Sequence, residues 1–145
     1  MKKTVLLATD FSQSTGRARA FALTLCQALD AALILVHGIE PIAGSGEDED
    51  FHDFFEELRQ KSEREMENLL VAAKEANLEA STHIEVGERW RIILEQAEKR
   101  DVDLVILGRR MYREGEEFSL GTTSQRVFFA SNRPVMIVPR EEDDL

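Results

Sequence analysis

The chain alternates short strand-like segments with longer amphipathic segments, and this alternation limits the folds it can form. Five strand-like and four helix-like segments follow one another in strict turn, beginning and ending with a strand. Residues 3–9 (KTVLLAT) and 32–39 (ALILVHGI) show no polar face, which is typical of strands buried on both faces of a parallel sheet. Because such alternation builds parallel sheets with right-handed crossovers, it predicts an α/β fold: a doubly wound five-stranded parallel sheet with helices on both faces.

The same periodicity gives approximate bounds for each element. The predicted strands are 3–9, 32–39, 81–86, 103–107 and 135–138. The predicted helices lie around 18–29, 50–76, 90–100 and 122–130. Gly108 is predicted to close the fourth strand and Pro139 the fifth, while Ser12 or Ser14 is predicted to cap the first helix. The third strand alternates in polarity, which predicts that it lies at an edge of the sheet.

The length of the chain limits the number of domains, and the distribution of charge limits the classes of ligand. A chain of 145 residues predicts one domain, here 1–140, followed by an acidic tail at 141–145. The formal charge of −10 is uneven: residues 47–75 carry −7, residues 141–144 carry −4, and the rest carries +1. Nucleic-acid binding, which needs a basic face, is therefore disfavoured. The rest of the chain is nearly neutral, so a site for a small anionic ligand is possible there.

Several other site classes have no support in the residues. The single cysteine, Cys26, excludes an internal disulfide or a multi-cysteine metal site and is predicted to be a core residue. His37 is predicted to be structural, while the spacing of His52 and His83 offers no metal triad. No apolar run approaches the roughly 20 residues of a membrane helix, and the N-terminal run is too short for a signal peptide. A cytoplasmic protein with no membrane partner is predicted.

The segment from Gly108 to Thr123 has the composition of an anion site. Two glycines, Gly108 and Gly121, would allow the backbone to approach a phosphate closely. A predicted helix begins at Thr122, and a helix N-terminus presents free N–H groups and a positive dipole end to an anion. Thr122 and Thr123 add hydroxyl donors. The loop between them carries positive charge from Arg109, Arg110 and Arg113.

Asp10 follows the first strand directly, at the same edge of the sheet as that loop. Ligands of doubly wound sheets bind at the carboxyl ends of strands, so strands one and four would place both features at one site. Purely structural interpretations remain open for the same residues. Asp10 can cap the first helix, the two glycines can serve turns, and the arginines can pair with Glu114, Glu116 and Glu117.

Three nucleotide-binding or signalling classes of similar architecture do not fit. A flavodoxin would need a hydroxyl-rich loop after strand one, where Gln13 and Ala18 occupy two of the hydroxyl positions. A receiver domain would need an acceptor aspartate after strand three and a lysine after strand five, both absent. An ATP pyrophosphatase would need a Ser-Gly-Gly-x-Asp-Ser loop, which residues 8–12 are not. No nucleophile with a neighbouring base can be argued from spacing, so no catalytic residue is predicted.

Segments spread over nearly the whole chain resemble the universal stress protein family. They are TDFS at 9–12, LVHGI at 35–39, VGERWRIILEQAEKRDVDLVILG at 86–108 and LGTTSQRVFFASNRPVMIVP at 120–139. The resemblance implies the sheet order 3-2-1-4-5 and a role in stress sensing or regulation. One subgroup of that family binds ATP through Gly-x-x-Gly, nine residues, then Gly-Ser/Thr. That spacing is intact here at 108, 111, 121 and 122, with Met111 in place of the second glycine.

The resemblance further implies a set of residues around a bound ATP or AMP. These are Thr9, Asp10, Gly38, Leu107, Gly108, Met111, Gly121, Thr122 and Thr123. Thr9 and Gly38 would lie around the adenine and Asp10 beside the adenosine part, with 107–108 near the ribose and 121–123 at the phosphates. Mg²⁺ would accompany ATP, held mainly by phosphate oxygens and water. Hydrolysis, if any, would be slow, because no base or arginine finger is evident.

The resemblance also implies a homodimer, and the residues suggest where it forms. The last strand, 135–138, is apolar and would be an edge strand, which invites pairing with a second copy. An alternative function remains open: a nucleotide-free member of the family that acts only as a dimeric protein-interaction module. Met111 favours that alternative, whereas the preserved spacing and residues 121–123 favour nucleotide binding.

Overall fold

The computed structural model describes residues 2–12, 15–41, 49–110, 112–118 and 120–140. Its strands are β1 (Thr4–Ala8), β2 (Ala32–Ile39), β3 (Ala80–Val86), β4 (Leu104–Arg109) and β5 (Val135–Pro139). Its helices are α1 (Gly16–Leu29), α2 (Glu49–Glu75), α3 (Arg89–Lys99) and α4 (Thr122–Ala130). The strands form one parallel sheet in the order β3-β2-β1-β4-β5, as predicted.

The centre of the sheet is β1, which pairs with both β2 and β4. Its side chains alternate between two cores because successive residues of a strand point to opposite faces. Val5 and Leu7 pack with α1 and α2, whereas Leu6 and Ala8 pack with α3 and α4. Burial on both faces explains why β1 and β2 are apolar throughout.

The edges of the sheet differ from its centre. Strand β3 is an edge strand, which confirms the prediction for that segment, and none of its residues is fully buried. Cys26 lies in the core formed with α1 and α2, also as predicted, and burial raises the pKa of its thiol to about 11. In the part of the chain that the structure describes, no helix is long and apolar enough to cross a membrane.

Two predicted strand ends are wrong, that of β4 by two residues and that of β5 by one. Strand β4 continues past Gly108 to Arg109, and β5 includes Pro139, because these two residues pair with each other. The ladder explains how a proline is accommodated there. Pro134 O and Arg140 N both form hydrogen bonds with β4. Because alternate residues of a strand bond to the same neighbour, every second residue from 134 to 140 bonds to β4. Pro139 is one of the residues between these, so its nitrogen faces the open edge of the sheet, where no N–H is required.

The predicted cap of α1 is also corrected. The residue at the N-cap position is Thr15 rather than Ser12, and its side chain makes no capping bond to the helix. Thr15 Oγ1 instead donates to Ser12 O at 2.8 Å, while Ser12 N donates to Asp10 Oδ1. Ser14, the other predicted cap, lies outside the described residues. The β1–α1 turn is thus stabilised from the strand side, by Asp10.

Candidate functional site

A cavity of ≈ 120 Å³ opens at the carboxyl ends of the three central strands. Its walls come from β1, β2, β4 and the first turns of α1, α3 and α4. Six of the predicted site residues line it: Thr9, Asp10, Gly38, Leu107, Gly108 and Thr123. The remaining lining residues are Ala8, Thr15, Val36, Arg89, Ile93 and Ser124. We call this space the first cavity.

The β1–α1 turn is held by a dense set of short-range hydrogen bonds. Asp10 Oδ1 accepts from Ser12 N at 2.8 Å and from Ser12 Oγ at 2.5 Å. Phe11 N donates to Thr9 Oγ1 at 3.0 Å, and Phe11 itself adopts a left-handed backbone with φ 65°. Such strain in a non-glycine residue persists only where the surroundings over-determine it. Asp10 thus holds the turn but does not cap α1, whose N-cap residue is Thr15, so the predicted capping role is wrong. Its Oδ2 has no hydrogen-bond partner among the described residues.

His37 supports this turn from the α1 and α2 side of the sheet. Its Nδ1 lies 2.7 Å from Thr9 O, and its ring packs 4.4 Å from the Phe11 ring. Since a carbonyl oxygen can only accept, Nδ1 carries the proton and Nε2 does not. Burial lowers the pKa of His37, against the smaller effect of the bond to Thr9. The prediction that His37 is structural is confirmed.

Gly38 and Arg89 form the β2 side of the first cavity. A Cβ atom at position 38 would lie 3.0 Å from Arg89 Cγ and 3.1 Å from Ile92 Cδ1. Arg89 Nε donates to Gly38 O at 3.1 Å, and Arg89 N donates to Glu40 Oε1 at 3.2 Å. The glycine therefore makes room for the arginine, which places a guanidinium in the cavity wall.

Arg89 is a site residue that the sequence reasoning missed. One signal was available, because the chain passes from β3 directly into α3 through Gly87. The first residue of a helix that follows a parallel strand lies at the carboxyl edge of the sheet, where ligands bind. The same rule applies to Thr15 and Ser124, which line the first cavity from the starts of α1 and α4.

On the β4–α4 side, the hydroxyls that reach the cavity are shifted by one residue from the prediction. Thr123 and Ser124 line the first cavity, and Ser124 Oγ donates to Gly108 O at 3.5 Å. Thr122 lines a separate surface groove, together with Trp90 and Phe129. The reason is helical geometry, because adjacent residues at a helix start point about 100° apart.

Gly121 and Met111 complete the predicted phosphate segment. Gly121 is the N-cap of α4 with φ 86°, a left-handed conformation that favours glycine, and it is not among the residues lining the first cavity. Its structural interpretation as a turn glycine is confirmed. Met111 lies outside the described residues.

The loop arginines are engaged locally. Arg110 Nη2 forms an ion pair with Glu116 at 3.0 Å, and Arg109 Nη1 donates to Arg110 O at 2.7 Å. Arg113 is exposed, and none of the three arginines lines the first cavity. The pairing expected for a surface patch is thus present at Arg110. The guanidinium in the cavity wall comes from Arg89 instead.

The first cavity combines an apolar interior with a polar rim. Its apolar wall is formed by Ala8, Val36, Ile93 and Leu107. Its polar groups are the Asp10 carboxylate, the Arg89 guanidinium and hydroxyls from both sides of the opening. Small-molecule sites typically have this character. Among the described residues, no group of three or more His, Cys, Asp and Glu side chains is placed to hold a metal ion.

Comparisons with known proteins agree with this architecture. A model of the universal stress protein family matches residues 1–139. A universal stress protein of Thermus aquaticus is 33% identical over 141 residues, which cover 95% of this chain and 99% of that protein.

Two solved structures show the same fold. The structure of MJ0577, a universal stress protein of Methanocaldococcus jannaschii, superposes with a TM-score of 0.84 at 24% identity, covering 98% of this chain and 99% of the other. A family protein from Arabidopsis thaliana, solved with AMP bound, gives a TM-score of 0.73 at 23% identity, covering 98% and 94%. Because the family model spans almost the whole chain and the Thermus aquaticus relative is similar along its full length, this chain belongs to the universal stress protein family.

Proposed function

We propose that this protein binds an adenine nucleotide, ATP or AMP, in the first cavity, and that it acts as a sensing or regulatory module of the stress response. The observation that carries the proposal is the combination of an apolar wall with hydroxyls and Asp10 at the carboxyl ends of β1, β2 and β4. The AMP bound to the Arabidopsis thaliana family protein, which has the same fold, supports the choice of ligand.

The proposed roles follow the walls of the cavity. Thr9 and Gly38 lie around the adenine, and Asp10 Oδ2 accepts from the adenosine part while Oδ1 holds the turn. Leu107 and Gly108 flank the ribose. The first turn of α4, with residues 121–123, faces the phosphates with the positive end of its helix dipole.

Mg²⁺ would enter with ATP, because its usual ligands are phosphate oxygens and water with few protein groups. We assign no catalytic residue, and any hydrolysis of ATP is expected to be slow. The protein would then act through the presence or absence of nucleotide in the first cavity and not through hydrolysis of ATP.

Calorimetric titration of the purified, nucleotide-free protein with AMP and ATP tests this function. We expect Asp10→Ala to weaken binding by about tenfold or more, which corresponds to one lost hydrogen bond to a charged group. Asp10→Asn keeps Oδ1 as the acceptor for the Ser12 bonds and replaces the acceptor Oδ2 with an NH2 donor, so it removes the ligand contact while leaving the turn. The control is Asp53→Ala, which removes an exposed carboxylate on α2. No binding of either nucleotide at millimolar concentration would exclude the proposal.

A dimeric interaction module without nucleotide is the second candidate function, and the β5 edge favours it. Val135, Met136 and Ile137 are only half-buried on an edge strand with an unpaired backbone side. We propose that β5 pairs with β5 of a second copy, which is compatible with either function. Light scattering at micromolar protein should give twice the mass of the chain. Val135→Pro, which removes one outward N–H at the first strand position, should weaken the dimer about tenfold. A monomeric wild type would refute the pairing.

A further inference from the structure

The arginine in the wall of the first cavity has two terminal nitrogens that the chain itself does not use. Arg89 is half-buried at the start of α3, and its Nε donates to Gly38 O at 3.1 Å. Within the described ranges, its Nη1 and Nη2 have no hydrogen-bond or ion-pair partner. A guanidinium is a planar fork of N–H donors without an acceptor. The donors on these two nitrogens are therefore available to a ligand.

The backbone of β2 directs Gly38 towards the same space. Val36 O accepts from Thr9 N, so the backbone groups of residue 36 face β1. Because alternate residues of a strand bond to the same neighbour, Gly38 O faces that side as well, beyond Ala8, the last paired residue of β1. Arg89 Nε occupies this acceptor. The missing side chain at position 38 permits the approach, since a Cβ atom would lie 3.0 Å from Arg89 Cγ.

Two further carbonyls of residues that line the cavity also accept hydrogen bonds already. Thr9 O accepts from His37 Nδ1 at 2.7 Å, and Gly108 O accepts from Ser124 Oγ at 3.5 Å. Of the described side chains that line the first cavity, only Asp10 is a carboxylate, and its Oδ1 holds the β1–α1 turn. Hydrogen-bond donors therefore dominate the β2 side of this cavity, where Arg89 lies.

Under the proposed function, the base of the nucleotide lies between Thr9 and Gly38, beside Arg89. A purine with an oxygen at its 6-position presents two adjacent acceptors, O6 and N7, which match a guanidinium fork. Adenine presents N7 beside an amino group, and this donor would meet the Arg89 N–H groups while Gly38 O is occupied. We infer, on the basis of that proposed function, that Arg89 sets the base preference of the first cavity, which binds 6-oxopurine nucleotides more tightly than adenine nucleotides.

Calorimetric titration with inosine 5′-monophosphate (IMP) and AMP tests this preference, because the two nucleotides differ only at N1 and at the 6-position of the base. The wild-type protein should bind IMP about tenfold more tightly than AMP, as expected for one additional hydrogen bond to a charged group. Purine riboside 5′-monophosphate carries only hydrogen at the 6-position. It offers neither the second acceptor nor the opposing donor, so its affinity should lie between those of IMP and AMP.

Arg89→Met removes the fork and keeps an unbranched stem beside Gly38. It also frees Gly38 O to accept from the amino group of adenine. The preference for IMP should therefore disappear or reverse, while continued binding of AMP shows that the variant is folded. The matched control is Arg91→Met on the same helix, where the arginine pairs with Glu95 at 3.2 Å and does not line the first cavity. This control should keep the preference of the wild type.

The possible results separate the base preference from the proposed function. If the wild-type protein binds neither nucleotide, both are refuted. If it binds AMP at least as tightly as IMP, the preference is overturned and the adenine site stands. The role of Arg89 is overturned if Arg91→Met changes the ratio of the two affinities as much as Arg89→Met does. The three ligands on the wild-type protein decide the preference even where a variant fails to fold.

Discussion

The two sides of the first cavity are built by different interactions. The β1–α1 side is fixed by bonds within seven residues, by the buried His37 ring and by the close packing of Gly38 against Arg89. The β4–α4 side is a polar loop whose contacts lie at the surface, such as the Arg110–Glu116 pair and the Tyr112–Phe118 ring contact at 5.1 Å. Substitutions on the first side should therefore affect folding strongly as well as binding, whereas substitutions on the second side should affect folding less.

The largest expected difference is between His37 and Phe118, which are both large aromatic side chains. His37→Ala removes a buried ring and leaves Thr9 O without its donor, so it should lower the free energy of unfolding by about 3 kcal/mol. Phe118 is 91% exposed, and Phe118→Ala should change that free energy by less than about 0.5 kcal/mol. Urea unfolding of both variants measures the two values. Equal losses would show that the two sides are equally integrated into the fold.

Two glycines, one on each side, offer a finer test. Gly38→Val would overpack the space held by Arg89 and Ile92 and should cost about 2 kcal/mol. Arg89→Ala should relieve part of that cost, which a double-mutant cycle would detect as coupling between the two positions. At Gly121 there is space for a Cβ atom, but φ is 86°, so Gly121→Ala should cost about 1 kcal/mol through backbone strain. Additive effects of Gly38→Val and Arg89→Ala would contradict the packing explanation.

The difference between these sides also explains what could be predicted from the sequence. Strand order along the chain, the apolar β1 and β2 and the position of Asp10 follow from periodicity and from the rule that ligands bind at carboxyl ends. The contribution of Arg89 could not be predicted, because it depends on how closely α3 packs against β2 at Gly38. The same holds for Ser124, whose inward direction depends on the rotation of α4 about its axis. Pattern locates an element, but three-dimensional packing decides which of its side chains face a cavity.

The pH dependence of stability should also originate on the β1–α1 side. Burial lowers the pKa of His37 in the folded protein, so the unfolded chain binds a proton at a higher pH than the folded chain does. Stability is then fully present above the unfolded pKa of about 6.5 and is lost as the pH falls towards the lowered folded value. His37→Gln should flatten this loss in urea unfolding between about pH 7.5 and 5.5. His83→Gln, at the β3 edge, is the control and should retain the dependence of the wild type.

The smallest effect on stability is expected at Arg110. A substitution there also tests whether the β4–α4 side contributes to nucleotide binding. Its ion pair with Glu116 lies at the surface, where such pairs contribute little, so Arg110→Ala should change the free energy of unfolding by less than about 0.5 kcal/mol. If the loop adds positive charge beside the phosphates, the same variant should weaken ATP binding more than AMP binding, because ATP carries more negative charge. Titrations with both nucleotides at low and high salt would measure this, since salt screens exposed charges. A loss of affinity equal for ATP and AMP would place Arg110 away from the phosphates, and the β4–α4 side would then act through its backbone N–H groups and hydroxyls alone.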